Sequence, residues 1–148
     1  IVAGARTPIG KLSGAFASLS AQDLGGIAIR ATLERAGLAP ELVDAVLMGQ
    51  VIQAGQGQIT ARQAAVKGGI PMSVNATTIN KVCLSGLQTI YMADLMIRAG
   101  EADIVIAGKE ERAKLDALRR TIYGWRRDTA ERGSARVHLC RTMLPSQC

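Results

Sequence analysis

Apolar residues along this chain fall into two alternating kinds of block. Short, nearly continuous runs occupy Ile1 to Ala5, Ala45 to Gly49, Val74 to Ile79 and Asp103 to Ala107. Runs of this length without polar alternation predict strands, and the five-residue apolar ones predict burial on both faces. The Val74 to Ile79 run is rich in Val, Thr and Ile, which favour extended backbone. Between the runs, apolar residues recur at helical spacing. Ser20-Ala21-Gln22-Asp23 predicts a helix start, with Ser20 as N-cap and an acidic third helical position. Leu24, Ile27, Ala28, Ala31 and Arg35 follow at helical intervals, and Gly37 supplies the stop. Pro40 to Val43 predicts one further helical turn. A glycine-punctuated loop, Gln53 to Gly57, precedes a small-residue helix through Arg62, Ala64, Ala65 and Val66. A third helix follows Cys83, carries Leu84, Leu87, Tyr91 and Leu95 on one stripe, and closes at Gly100.

The predicted order is strand, helix, strand, helix, strand, helix, strand. That alternation predicts an α/β fold with a mostly parallel sheet, because right-handed crossovers place helices on both faces. Loops beyond the carboxyl ends of such strands form the functional edge. Beyond Gly108 the order disappears. Lys109 to Arg120 reads as a polar helix with charges at three- and four-residue spacing, and from Tyr123 onward isolated apolar residues lie among arginines with no sustained period. No packed element is expected there.

Charge divides at the same place. The 148 residues carry a net charge of +6. Residues 1–108 contribute +1, from 8 Lys/Arg and 7 Asp/Glu, whereas residues 109–148 contribute +5, from 10 and 5. Two regions follow, 1–107 and a basic tail, 108–148. Arginine clusters raise the possibility of nucleic-acid binding, but acidic residues are interspersed and no nucleic-acid motif occurs, so a solvated tail is the preferred reading. Apolar content of 48% and charged content of 20% exclude a disordered chain, while aromatic content of 3% leaves the core to Ala, Val, Ile and Leu. No run approaches the length of a membrane span and no secretory signal pattern opens the chain, so no membrane partner is expected. The chain begins at Ile1 without Met, so a start further upstream is expected. Cys83, Cys140 and Cys148 form neither a CxxC pair nor a zinc spacing. An odd, sparse set of thiols fits a reducing compartment, so a cytoplasmic location and no metal are expected.

One residue combines a reactive atom with a means of activating it. Cys83 lies in Asn80-Lys81-Val82-Cys83-Leu84-Ser85-Gly86-Leu87, where a β-branched run gives way to the third helix. A thiol at a helix start meets the positive end of the macrodipole and unpaired backbone N–H groups, which favour thiolate and suit a nucleophile. The plainer alternative is a small, buried, inert cysteine. Other candidates have stronger plain readings. Gly55 and Gly57 form a turn before a helix rather than a phosphate cradle, since no Lys-Ser/Thr pair follows. Arg6 and Lys11 could steer an anion, yet Arg6-Thr7-Pro8 reads first as a loop anchor. Ser85 is better suited to satisfying N–H groups at the helix start than to attacking a substrate. Met92 and Met96 read as core residues.

Four blocks carry a family resemblance: Ala5-Arg6-Thr7-Pro8-Ile9-Gly10-Lys11, Gln53-Ala54-Gly55-Gln56-Gly57-Gln58, Ala61-Arg62-Gln63-Ala64-Ala65 and Thr77-Thr78-Ile79-Asn80-Lys81-Val82-Cys83. In this order and spacing, residues 1–107 resemble the amino-terminal part of the thiolases, the acetyl-CoA acetyltransferase and 3-ketoacyl-CoA thiolase family. The resemblance implies an incomplete thiolase-like layer and a two-step acyl transfer between coenzyme A thioesters, with no separate cofactor. By matching position it implies that Cys83 is acylated and that its own N–H is one of two oxyanion donors. It implies a homo-oligomer in the family, with the strand before Cys83 near the dimer contact. No residue is assigned to coenzyme A binding. Leu84 stands where many members have Gly.

The resemblance also says what this sequence lacks. The family's Gly-His-Pro, Asn-Glu-Ala-Phe and second-cysteine motifs belong to a similar second half, and none occurs here. Where the family continues with Gly-Gly-Met-Glu-Ser, this chain reads Gly108-Lys109-Glu110-Glu111-Arg112. His138, Cys140 and Cys148 match none of the missing motifs, and the tail is expected to derive from a frame change, premature end or alternative exon. Two functions are therefore expected: thiolase-type acyl transfer through Cys83, not competent in the isolated chain, or a non-catalytic product that associates with full-length thiolase subunits.

Overall fold

A computed structural model describes residues 1–11, 14–111 and the backbone of 135–141. The elements are β1 (Ala3–Arg6), α1 (Ala21–Ala36), a 3-10 turn (Pro40–Leu42), β2 (Ala45–Gly49), α2 (Thr60–Lys67), β3 (Asn75–Ile79), α3 (Ser85–Arg98), β4 (Ile104–Glu110) and β5 (Ala135–Arg141). One five-stranded sheet has the order β1-β5-β4-β2-β3. β4, β2 and β3 are parallel neighbours, with Val46 opposite Ile106 and Ala76, while β5 runs antiparallel to both β4 and β1. Helices lie on both faces of this sheet, as the alternation of elements predicts.

β2 shows why the sheet sits at the centre of two cores. All five of its residues are buried. Val46 and Met48 join Leu24, Ile29, Leu33 and Ile106 under α1 and α2, whereas Ala45 and Leu47 join Val105, Ala107 and Ala93 under α3. Alternate residues of one strand thus serve opposite layers, which requires an unbroken apolar run. β3, at the sheet's edge, is only partly buried.

The start of α1 forms as its sequence dictates. Ser20 Oγ accepts from the Asp23 N–H at 3.1 Å, and the Asp23 carboxylate accepts from the Ser20 N–H at 2.7 Å. Lys67 of α2 pairs with the same carboxylate. That lysine and the Ser20 groups hold Asp23 at about 2, below the usual carboxylate range. Gly37 ends the helix at φ 63°, the left-handed conformation that favours glycine. The buried face differs from the stripe read off the spacing: Ile27 is exposed, and Gly25, Ile29, Thr32 and Leu33 face inward. Gly25 and Gly26 let α1 approach β4 and α2 closely. A Cβ on Gly26 would lie 2.7 Å from that of Lys67.

Two further expectations are corrected. β4 continues three residues past Ala107, because Gly108 and Lys109 still pair with β2 and the strand to Glu110 pairs with β5. The tail, expected to supply no packed element, contributes β5, inserted between β1 and β4. The expected polar helix over Lys109 to Arg120 begins inside β4, Glu111 is not helical, and residues 112–120 lie outside the described residues, as do Cys148 and the side chains of His138 and Cys140. Among the described residues, no helix is long and apolar enough to cross a membrane.

Candidate active site

The carboxyl ends of β2, β3 and β4 lie on one rim, where the segments leaving β2 and β3 interlock with the end of β4. Gly49, the last residue of β2, sits directly beneath the first turn of α3: a Cβ at that position would come within 2.7 Å of the Ser85 backbone. Thr89 then ties α3 to β4, its hydroxyl lying 2.8 Å from the Gly86 carbonyl and 3.1 Å from that of Gly108. Thr78 of β3 supplies the cap that α2 lacks, its hydroxyl accepting from the Ala61 N–H at 2.9 Å. Glu111 accepts from the Val51 and Ile52 N–H groups at 3.1 and 3.2 Å, which fastens the loop after β2 to the end of β4. Its carboxylate also lies 3.8 Å from Lys109 Nζ.

Cys83 stands on this rim, in the turn joining β3 to α3, as an exposed free thiol. Cys83 is therefore not the buried residue of the plainer alternative. The sequence reading places it at the helix start; the structure places it two residues before Ser85, the first residue of α3. Two of the backbone donors expected to be open near it are engaged, since the Leu84 N–H donates to the Lys81 carbonyl and the Ser85 N–H to that of Val82, both at 3.1 Å. Ser85 serves backbone groups rather than chemistry. Its hydroxyl accepts from the Lys81 N–H at 2.9 Å and donates to the Val82 carbonyl at 2.7 Å. Asn80 accepts from the Val82 N–H and donates to the Val51 carbonyl, each at 3.0 Å, and so joins the Cys83 turn to the loop after β2.

The remaining sequence candidates separate clearly. Gly55 and Gly57 adopt φ of 71° and 85°, and Gln22 and Gln63 donate to the Gln56 carbonyl between them, which is the architecture of a tethered turn. Arg6 and Lys11 are exposed around a buried Thr7. Met92 and Met96 pack against the core beneath α3. Leu84, Leu87, Tyr91 and Leu95 do not: the stripe faces solvent at 46–62% exposure, and α3 instead buries Ser85, Thr89 and Ala93. Among the described residues no cluster of three or more His, Cys, Asp or Glu could hold a metal ion.

Glu110, at the end of β4, is a feature the sequence reading left unassigned. Its carboxylate is fully buried, neither oxygen meets a donor at bonding geometry, and a Cβ on Gly25 would lie 2.5 Å from Oε2. Burial pushes its pKa up to about 7, the Thr60 hydroxyl opposes the rise, and the charge of Glu111 adds to it.

An open α/β sheet with a thiol presented at the carboxyl rim defines a class of protein in which the rim does the work. The thiolase amino-terminal domain model matches residues 1–129, and the chain belongs to that family. It is 58% identical over 111 residues to a probable acetyl-CoA acetyltransferase of Mycolicibacterium smegmatis, covering 75% of this chain and 29% of the relative. It is 54% identical to an acetyl-CoA acetyltransferase of Cupriavidus necator and 53% identical to a probable one of Escherichia coli, each match covering 28% of the relative. The chain thus spans under a third of the length of these relatives.

Proposed function

We propose that this chain is the nucleophile-bearing part of a thiolase-type acyl-CoA C-acyltransferase, with Cys83 as the acyl acceptor. One observation carries the reading: the block that matches the family around Cys83 forms an exposed turn at the sheet rim, with the thiol open to a large substrate. The Cys83 thiolate attacks the thioester carbonyl of an acyl-CoA, its new C–S bond forms, and the C–S bond to coenzyme A breaks, releasing that thiolate. The two thiols are leaving groups of similar quality, so the acyl group can pass onward to free coenzyme A or to a second acyl-CoA. A proton acceptor for Cys83 is supplied, in this reading, by the family's second half, so the isolated chain should be acylated without turning over. The relatives' names as acetyl-CoA acetyltransferases support acetyl-CoA as the first substrate to try. Sparse thiols support a cytoplasmic setting.

Incubating the chain with acetyl-CoA and recording its intact mass tests this. A single added acetyl group is expected, and it should be absent from Cys83→Ala. An unmodified chain, or acetylation that survives that substitution, would overturn the assignment.

A second reading is favoured by the solvent-facing Leu84, Leu87, Tyr91 and Leu95 stripe and by the edge of β3, which no described strand covers. Here the chain is a non-catalytic product that associates with full-length thiolase subunits, or with itself as a homo-oligomer. Co-purification of an intact thiolase, with no acetyl transfer to Cys83, would favour it.

A further inference from the structure

The residue immediately before Cys83 is strained. Val82 has φ of 49°, in the left-handed region. A β-branched side chain there is a genuine outlier, because its Cβ crowds the following carbonyl oxygen. Such a conformation persists only where the surroundings over-determine it, and both polar groups of the Val82 backbone are held by side chains. The N–H donates to Asn80 Oδ1 at 3.0 Å, and the carbonyl accepts from Ser85 Oγ at 2.7 Å.

Each clamp is itself anchored. Asn80 donates from Nδ2 to the Val51 carbonyl. Ser85 is fully buried over Gly49, and its hydroxyl also accepts from the Lys81 N–H. The hydroxyl therefore acts as donor and acceptor at once. The Ser85 N–H also donates to the Val82 carbonyl at 3.1 Å, so backbone and side chains together hold a valine with 63% exposure, and little packing to gain, in this conformation.

Resting on the reading of Cys83 as acyl acceptor, we infer that Asn80 and Ser85 are positioning residues, which hold Val82 left-handed and thereby aim Cys83. Releasing either clamp lets Val82 relax to negative φ. The peptide leading into Cys83 then turns, and the sulfur and the Cys83 N–H move together. A misplacement of about 1 Å at a reacting centre is enough to cost orders of magnitude in rate.

The test uses the full chain and four variants: Asn80→Ala, Ser85→Ala, Val82→Asn and the Ser85→Ala/Val82→Asn pair. Melting temperature is recorded, together with the rates at which acetyl-CoA and iodoacetamide modify Cys83, located by peptide mass spectrometry. Asn80→Ala and Ser85→Ala are expected to slow acetylation about tenfold at temperatures where they remain folded. Val82→Asn is expected to raise the melting temperature, since Asn accepts the left-handed region without the valine penalty. The same substitution should restore most of the rate lost in Ser85→Ala. Asn80 is exposed, so its variant is expected to fold even if the buried Ser85 variant does not.

Unchanged acetylation in the clamp variants, a lower melting temperature for Val82→Asn, or no recovery in the pair would overturn the inference. Should Cys83 of the parent chain take no acetyl group, the acyl-acceptor reading fails on its own. The iodoacetamide rates and the Val82→Asn melting temperature then decide the clamp separately: unaltered alkylation across the variants overturns it, and an altered rate rescued in the pair supports it.

Discussion

Glu110 is a carboxylate in a place built for an apolar side chain. It ends a strand whose earlier inward residues, Ile104 and Ile106, join the core under α1 and α2. Its pKa, about 7 when folded against the ordinary 4.5 of a free glutamate, sets the sign of a pH effect. Between those values the folded protein holds a proton that the unfolded chain has released, so stability falls as pH rises from 4.5 to 7. The full difference is about 3 kcal/mol, present below 4.5 and gone above 7. Glu110→Met should therefore raise unfolding stability at pH 8 by about 2–3 kcal/mol and flatten its pH dependence between 4.5 and 7. Denaturant melts at several pH values check this; an unchanged slope would show that Glu110 does not titrate in this range. The charge was legible in the sequence, but its cost was not, since nothing in Lys109-Glu110-Glu111 says which carboxylate turns inward and which reaches the Val51 and Ile52 N–H groups.

At the scale of elements, much of the fold was legible because short-range signals agreed with tertiary ones. Ser20, Asp23 and Gly37 bound α1 through contacts made within a few residues, and β2 announced its double burial by having no polar position. What the sequence concealed was set by distant partners. β4 outruns its apolar run because β2 and β5 continue to pair with it. β5 itself carries a signal that is visible afterward: Ala135, Val137 and Leu139 alternate with Arg136, His138 and Cys140. Such a short alternation amid arginines is easily outweighed by charge. The position of Cys83 was legible; the clamp around Val82 was not, since left-handed valines have no sequence signature.

Gly49 shows how tightly α3 is seated. Gly49→Ala would drive a methyl group into the Ser85 backbone, which has no rotamer to yield. The expected cost is about 1–3 kcal/mol, with a loss of Cys83 acetylation larger than that stability change alone explains. Thermal melts alongside acetylation rates separate the two effects, and a full acetylation rate would mean that α3 can shift without moving the thiol.

At the scale of the whole molecule, the described surface carries an apolar stripe along α3, formed by Leu84, Leu87, Tyr91 and Leu95. Helical periodicity locates such a stripe but cannot say whether the sheet or something else will cover it, and here small residues face the sheet. An exposed apolar cluster is where association is expected to begin. Leu87→Lys combined with Tyr91→Lys should raise the concentration at which the chain stays monomeric in sedimentation velocity, while leaving the melting temperature within about 2 °C. Unaltered association would place the sticky surface elsewhere, with the open edge of β3 as the next candidate.

The sheet order has a consequence for synthesis. Among the described residues β1 pairs only with β5, so Ala3 meets its neighbour across the sheet at Leu139. A ribosome translating this message must therefore release the first strand long before its mate exists. Closure of this sheet waits until residue 141 has been made, which lengthens the interval in which the early strands are exposed to misassembly.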